Sequence, residues 1–253
     1  MRAELEKIAT AQPHVMTSLS CAPGVNHRPS GHMNAQTSWA GYQTNMASST
    51  TFFVSMTWVV PTVTAISTDS YMSVWPGLGT GTASDELVQA GTAYALTPSV
   101  SAPYFWYELY PQESEMRVTS LSVAAGDQVD VVANFAASAS TATFSLYNLT
   151  KNTYTSLQQK LASGQTFKGN QAEWIVERPL LIVNGVTTVA TLAHFSSIPV
   201  SSCNFEYTTQ SSVSVATTAN SSVVNVMNSS NQSLVSLTTL SGGGFTATWN
   251  RGS

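Results

Sequence analysis

Ionic side chains are scarce in this 253-residue chain: Asp, Glu, Lys and Arg make up only 9% of it, against roughly 25% in ordinary soluble domains. Ser, Thr and Asn fill the gap, so the surface is polar but weakly ionic. Few carboxylates mean few native ion pairs to lose on acidification, the usual route to acid unfolding. The composition is therefore compatible with work at low pH. The net charge is −4, from 13 acidic and 9 basic residues, and no basic patch emerges, which argues against a nucleic-acid partner. The two cysteines, Cys21 and Cys203, are too few for a disulfide framework, and the sequence leaves open whether they pair. Three of the four histidines (His14, His27, His32) stand in an irregular leader, and His194 is isolated in a strand-like segment. Neither a metal nor a cofactor is expected. No apolar run is long enough to span a membrane, and the first twenty residues lack the basic-then-apolar pattern of a secretory signal.

What the chain does have is β-pattern. Its length suits one large all-β domain or two small ones, with a core that needs no cross-links. Residues 1–36 stand apart. Met1 to Gln12 has loosely helical spacing (Ala3, Leu5, Ile8, Ala9), and Pro13, Pro23, Gly24, Pro29 and Gly31 then punctuate a segment without period. Gly31-His32-Met33 looks like a cloning junction and Arg251-Gly252-Ser253 like the start of a tag linker. Residues 1–36 therefore read as a leader, a pro-segment or a cloning remnant, and residues 37–253 as one domain. Within it, Thr51–Val60 is rich in β-branched and aromatic residues and stops at Pro61. Glu115–Val123 and Gln128–Phe135, joined by Gly126-Asp127, read as a strand pair. Thr141–Leu149 alternates with period two and returns through Tyr154–Gln159. Val186–Phe195, Ser211–Val226 and Phe245–Trp249 continue the pattern. Many short strands with Gly, Asn and Ser turns predict an all-β fold, a large antiparallel two-sheet β-sandwich of the lectin-like kind.

Local chemistry singles out few residues. Glu173 and Glu177, four apart in Gln171-Ala172-Glu173-Trp174-Ile175-Val176-Glu177, share one face of a strand-like run. Apolar neighbours would desolvate Glu173 and raise its pKa, the mark of a candidate acid/base. The plainer reading puts both glutamates in water. Gln89, in Leu87-Val88-Gln89-Ala90-Gly91, is an amide that can donate and accept, and alone it says little. Tyr104-Phe105-Trp106-Tyr107-Glu108-Leu109-Tyr110 packs five aromatics and a carboxylate into one strand, one face for a core and the other for a cleft wall. Trp39 and Trp75 stand beside glycines, where strands end and binding loops begin.

In order along the chain, Trp39-Ala40-Gly41, Trp75-x-Gly77, Val88-Gln89-x-Gly91, Trp106-Tyr107-Glu108-x-Tyr110-Pro111 and Ala172-Glu173-Trp174-Ile175-Val176-Glu177 together resemble the glutamic peptidases, the eqolisin family of acid proteases. The resemblance implies a catalytic dyad at Gln89 and Glu173 and a substrate cleft lined by Trp39, Trp75, Glu108 and Tyr110. Trp106 belongs to the same aromatic run. It further implies an acid endopeptidase, insensitive to pepstatin, that attacks peptide bonds with a water activated by the dyad. Such an enzyme is expected to be an extracellular monomer acting on proteins or peptides. The chain departs from the fungal pattern at Ala90, Ala93, Gly79 and Leu109 and lacks the fungal disulfide near Gln89; it looks more like a prokaryotic branch. The rival classes are a non-catalytic, carbohydrate-binding lectin-like sandwich, a glycoside hydrolase using Glu108 with Glu173, and an inactive peptidase homologue. The sequons at Asn148, Asn220, Asn228 and Asn231 are expected by chance in so Ser/Thr-rich a chain.

Overall fold

Runs such as Thr51–Val59 and Tyr104–Tyr110 carry branched or aromatic side chains at nearly every position, and such residues fit a pleated surface that is covered on at least one face. In a computed structural model these runs form two large antiparallel sheets. The structure describes residues 19–21, 25–26, 38–47, 49–67, 70–79, 87–96, 102–167, 169–183, 186–207 and 212–253. The first sheet, called the site sheet below, runs in the order Leu19–Cys21, Met116–Val118, Tyr104–Tyr110, Leu87–Leu96, Ser70–Gly79, Gln171–Glu177, Trp39–Asn45 and Ser222–Val224. The back sheet runs Thr153–Lys160, Thr141–Asn148, Gln128–Ala136, Thr51–Val59, Ile198–Tyr207, Phe245–Trp249 and Val235–Leu237, with Ser214–Val215 beside Ile198–Tyr207. Among the described residues the only helical turn is the 3-10 turn Ala137–Ala139.

The core lies between the sheets and is built from every second residue. The site sheet sends inward Ala40 and Tyr42, Val74 and Leu78, Val88 and Ala90, Phe105, Tyr107 and Leu109, and Ala172, Trp174 and Val176, all buried. Phe52, Val54, Met56 and Trp58, with Val129, Val131, Phe144 and Leu146, meet them from the back sheet. Two indoles bridge the layers: Trp174 Nε1 donates to the Ser55 carbonyl at 2.8 Å, and Trp58 Nε1 to Thr92 Oγ1 at 3.2 Å. Because buried polar groups need partners, these bonds fix how the sheets slide past one another. Cys203 is a free thiol buried in this core.

Three sequence expectations need correction. Glu115–Val123 does not pair with Gln128–Phe135; only Met116–Val118 is a strand, and it joins Tyr104–Tyr110 in the other sheet. Asp127 explains the break. Its Oδ2 accepts the Ala124 N–H, the Asn148 amide and Lys151 Nζ, all within 3 Å, so the chain turns sharply on entering the back sheet. Ser211–Val226 is interrupted likewise. Asn220 Oδ1 accepts the Thr217 N–H at 2.8 Å and closes a turn between Ser214–Val215 and Ser222–Val224, which lie in different sheets. Val186–Phe195 is two short strands, Val186–Val189 and His194–Phe195. The helix expected at Met1 to Gln12 falls outside the described residues.

Phe144 is fully buried, with its ring 5.0 Å from that of Tyr107 across the layers. Phe144→Ala is expected to cost about 3–5 kcal/mol, as for other large-to-small changes in cores. Denaturant unfolding measures it. A loss under about 1 kcal/mol would mean that the sheets do not meet there.

Candidate active site

With the even-numbered residues of the central site-sheet strands committed to the core or, for Tyr104–Tyr110, the odd ones, alternation drives the remaining residues onto the opposite face. The pairing register then decides who meets whom. Across five neighbouring strands it sets Gln43, Glu173, Gly77, Gln89 and Glu108 in one straight rung. A second rung holds Trp39, Glu177, Ser73, Ala93 and Tyr104. Between these two lie Gly41, Ile175 and Trp75 on one side and Gly91 with Trp106 on the other. Trp39, Trp75, Trp106 and Ile175 form a second apolar cluster, against which Tyr110 packs half-buried. All seven residues singled out from sequence (Gln89, Glu173, Trp39, Trp75, Glu108, Tyr110, Trp106) are thus brought to one face.

Glycine makes the gap in the first rung. Gln89 and Glu173 stand two strands apart, about 10 Å between Cα atoms by sheet spacing, and Gly77 between them contributes no side chain. A Cβ at Gly77 would lie 3.4 Å from Gln89 Cβ and 2.6 Å from the Trp75 ring. A Cβ at Gly79 would lie 3.1 Å from Glu173 Oε1. Gly91 clears room on the other flank of Trp75, where a Cβ would stand 2.8 Å from Trp75 Cβ. Trp75 is accordingly mid-strand, in Ser70–Gly79, and not at the strand end that its neighbouring glycine suggested. These glycines mark space for a ring and for the side chains of Gln89 and Glu173, not chain turns.

The polar groups are held tightly. Gln89 Nε2 donates to Glu108 Oε2 at 2.6 Å. Glu177 accepts Trp39 Nε1 on Oε1 at 3.0 Å, and Trp75 Nε1 and Ser73 Oγ on Oε2 at 2.7 and 3.3 Å. Gln43 Nε2 reaches Glu173 Oε1 at 3.5 Å, while Glu173 Oε2 is buried with no hydrogen-bond partner among the described residues. Gln89, Glu108 and Glu177 are 0% exposed and Glu173 1%, although all four lie on the face away from the core between the sheets. Burial is the main cause that lifts the Glu173 carboxyl from 4.5 to about 8; the charge of Glu177 adds to it and the Gln43 hydrogen bond opposes it. Gln43 and Ser73 were not singled out from sequence. The signal for Gln43 was present in the period of two that places it on the face of Trp39.

A carboxyl that is kept neutral by burial makes the fold prefer acid. Below pH 4.5 Glu173 is protonated both folded and unfolded; between 4.5 and about 8 only the unfolded chain releases the proton, so stability falls as pH rises through that window. Glu173→Gln cannot ionise. Its melting temperature is expected to match the parent near pH 4 and to exceed it increasingly towards pH 8, where the parent's burial penalty is fully felt. Equal melting at both ends would show that the carboxyl is hydrated in solution.

The Peptidase A4 family model matches residues 37–249. Among solved structures, scytalido-glutamic peptidase with a transition state analog inhibitor is similar at 20% identity and TM-score 0.72, over 85% of this chain and 99% of that one. SCP-B, described as a member of the eqolisin family in complex with the tripeptide Ala-Ile-His, is similar at 19% identity and TM-score 0.67, over 85% and 99%. Aspergilloglutamic peptidase from Aspergillus niger gives 22% identity and TM-score 0.60, over 72% and 99%. No curated protein matches the chain in sequence. The structural likenesses establish the two-sheet fold, and the family model covers nearly the whole sandwich: the chain belongs to the Peptidase A4 family and is a peptidase of the glutamic type.

Proposed function

We propose that the chain is an acid endopeptidase in which Glu173 and Gln89 activate a water against a peptide carbonyl seated over Gly77. The observation that carries this is the rung itself: a buried carboxyl and an amide face one another across the only glycine between them. Once the face is open to water and substrate, burial no longer dominates. Glu173 then returns towards the ordinary carboxylate range, and the ionised carboxylate takes a proton from water as general base. Gln89 stabilises the oxyanion. The bond to Glu108 orients the Gln89 amide, and a primary amide has two N–H donors. Losing one such donor costs on the order of 3 kcal/mol in other hydrolases. Protonated Glu173 finally delivers its proton to the leaving amine, and no covalent intermediate forms. Trp39, Trp75, Trp106 and Tyr110 wall the cleft for an extended peptide whose main chain supplies hydrogen bonds. A glycoside hydrolase would use Glu108 with Glu173 as a facing pair, but Gln89 stands between them in the rung and is bonded to Glu108.

The closed outer face also favours reading residues 1–36 as a pro-segment. Leu19–Cys21 adds antiparallel to Met116–Val118 at the edge of the site sheet, and Val25–Asn26 pairs with Leu180 and Leu181 just beyond the Gln171–Glu177 strand. The leader is thus joined by main-chain pairing to the edge of the site sheet and to the short sheet that follows the Glu173 strand in the chain. An extracellular, monomeric enzyme fits this reading.

Digestion of a denatured protein across the acid range, with pepstatin present, tests the dyad. The parent is expected to cleave, and Glu173→Gln to lose at least about a hundredfold in kcat with unchanged melting near pH 4; Gln89→Ala is expected to lose a similar factor and to melt lower, because buried Glu108 Oε2 loses a donor. Near-normal turnover by Glu173→Gln would end the mechanism. For the leader, a chain lacking residues 1–36 is expected to digest faster than the full chain under the same conditions; equal rates would show that it is no pro-segment.

A further inference from the structure

Glu173 has a second amide neighbour. Gln43 lies directly opposite it in the register on the side away from Gln89, half-buried, with Nε2 3.5 Å from Oε1. Gln43 and Glu173 belong to adjacent strands, so no strand separates them. The other carboxyl oxygen, Oε2, is buried and has no hydrogen-bond partner among the described residues. A buried polar atom in that condition calls for an explanation, and a role in the reaction is one that fits here. The two oxygens of Glu173 are therefore not equivalent: one is held by the protein and one is kept for something else.

We propose that Gln43 is a positioning residue, whose amide N–H anchors Oε1 of Glu173 and so assigns Oε2 to the attacking water. The inference rests on the reading of Glu173 as the acid/base. A carboxylate free to rotate would present either oxygen, at varied angles, to the water in the Gly77 gap; a donor fixed on a neighbouring strand removes that freedom, and orientation of this kind carries a large part of a catalytic barrier. The same donor favours the charged carboxylate, against burial and against Glu177. Gln43 thereby limits how far the carboxyl drifts from the range in which a base is useful.

Other groups bear on Glu173 as well. Glu177 faces it from its own strand. Glu108 lies beyond Gln89 on Tyr104–Tyr110, and Glu115 and Arg117 stand further out at the sheet edge, where Arg117 covers the Tyr104 ring. Arg178 follows Glu177 in the chain and donates to the Met227 carbonyl, and the phenols of Tyr71, Tyr104 and Tyr110 also lie near this face. All of these are unchanged by substitution at position 43, so a shift seen on changing Gln43 alone is due to Gln43.

The experiment follows the ionisation of Glu173 directly, in the full chain, by the infrared carboxyl band lost in Glu173→Gln, for the parent, Gln43→Leu and Gln43→Lys. It sets these titrations beside the pH dependence of kcat/KM on fluorescently labelled, denatured casein. Leucine removes the donor, so the Glu173 titration is expected to move up by about one pH unit; lysine adds a positive donor and moves it down by a similar amount. The kinetic limb that reports Glu173 should follow in both directions. kcat in Gln43→Leu should fall about tenfold while KM changes less than about twofold. Opposite shifts in the two variants are a signature that loss of packing does not give. Titrations that stay within about 0.2 pH units of the parent in both variants would overturn the proposal, whatever the rates do. Retained cleavage by Glu173→Gln would instead sink the dyad reading, and the infrared titration would still decide whether Gln43 holds the carboxyl.

Discussion

Each strand of the site sheet is held in phase by the side chains that it sends inward, and that phase decides what the opposite face carries. Val88 and Ala90 fix the strand of Gln89; Ala172, Trp174 and Val176 fix that of Glu173; Phe105, Tyr107 and Leu109 fix that of Glu108. A slip of one residue in any of them would turn an ionisable or amide side chain into the core and an apolar one out of it. Burying an unpaired charge there is far costlier than any local gain. The rung of Gln43, Glu173, Gly77, Gln89 and Glu108 is thus specified by hydrophobic residues that never touch it.

Within that frame the electrostatics are organised by who receives donors. Glu177 accepts two indole N–H groups and a hydroxyl, a solvation shell made of fixed protein dipoles in place of water. Glu173, four residues earlier on the same face, has one long bond from Gln43. Two carboxyl groups so close in a dry setting cannot both carry charge cheaply, and Glu173, with the poorer donor, is the one whose carboxyl is pushed up. Trp39 and Trp75, whose rings meet edge to face at 5.0 Å, serve in this way as part of the charge balance as well as part of the wall.

How much of this was legible in the sequence varies by residue. The two-sheet β-sandwich could be read from alternation alone, as in Thr141–Asn148, and from the density of β-branched and aromatic residues in Thr51–Val59. The outer face of Tyr104–Tyr110 was equally readable. What single-strand periodicity cannot show is which strands are neighbours: Met116–Val118 was joined to the wrong partner because Asp127 makes its turn through contacts with Asn148 and Lys151, far ahead in the chain. Gly77 misled for a related reason. Glycine commonly punctuates a strand, yet here its absent side chain accommodates the Trp75 ring contributed by the same strand. Gln89 and Glu173 carry no strong local signal, since their meaning comes from a register of 84 positions' separation that only pairing through Gly77 creates. Gln43 was overlooked because the period of two that puts it on the face of Trp39 does not by itself tell a site residue from an exposed strand residue.

The outer face has a further consequence, for the behaviour of the protein as a material. Trp39, Trp75, Leu87, Tyr104, Trp106, Ile175 and Val224 form an apolar cluster that is now as dry as the core between the sheets. On the proposed mechanism, any form of the molecule that admits a polypeptide to Glu173 must uncover part of that cluster. Contiguous apolar surface of this kind binds unfolded chains without regard to sequence, and it also promotes self-association. A chain with only 9% charged residues has little electrostatic repulsion with which to oppose that. The open form is therefore expected to be the less soluble one, kept dispersed in use by the substrate that occupies its cleft.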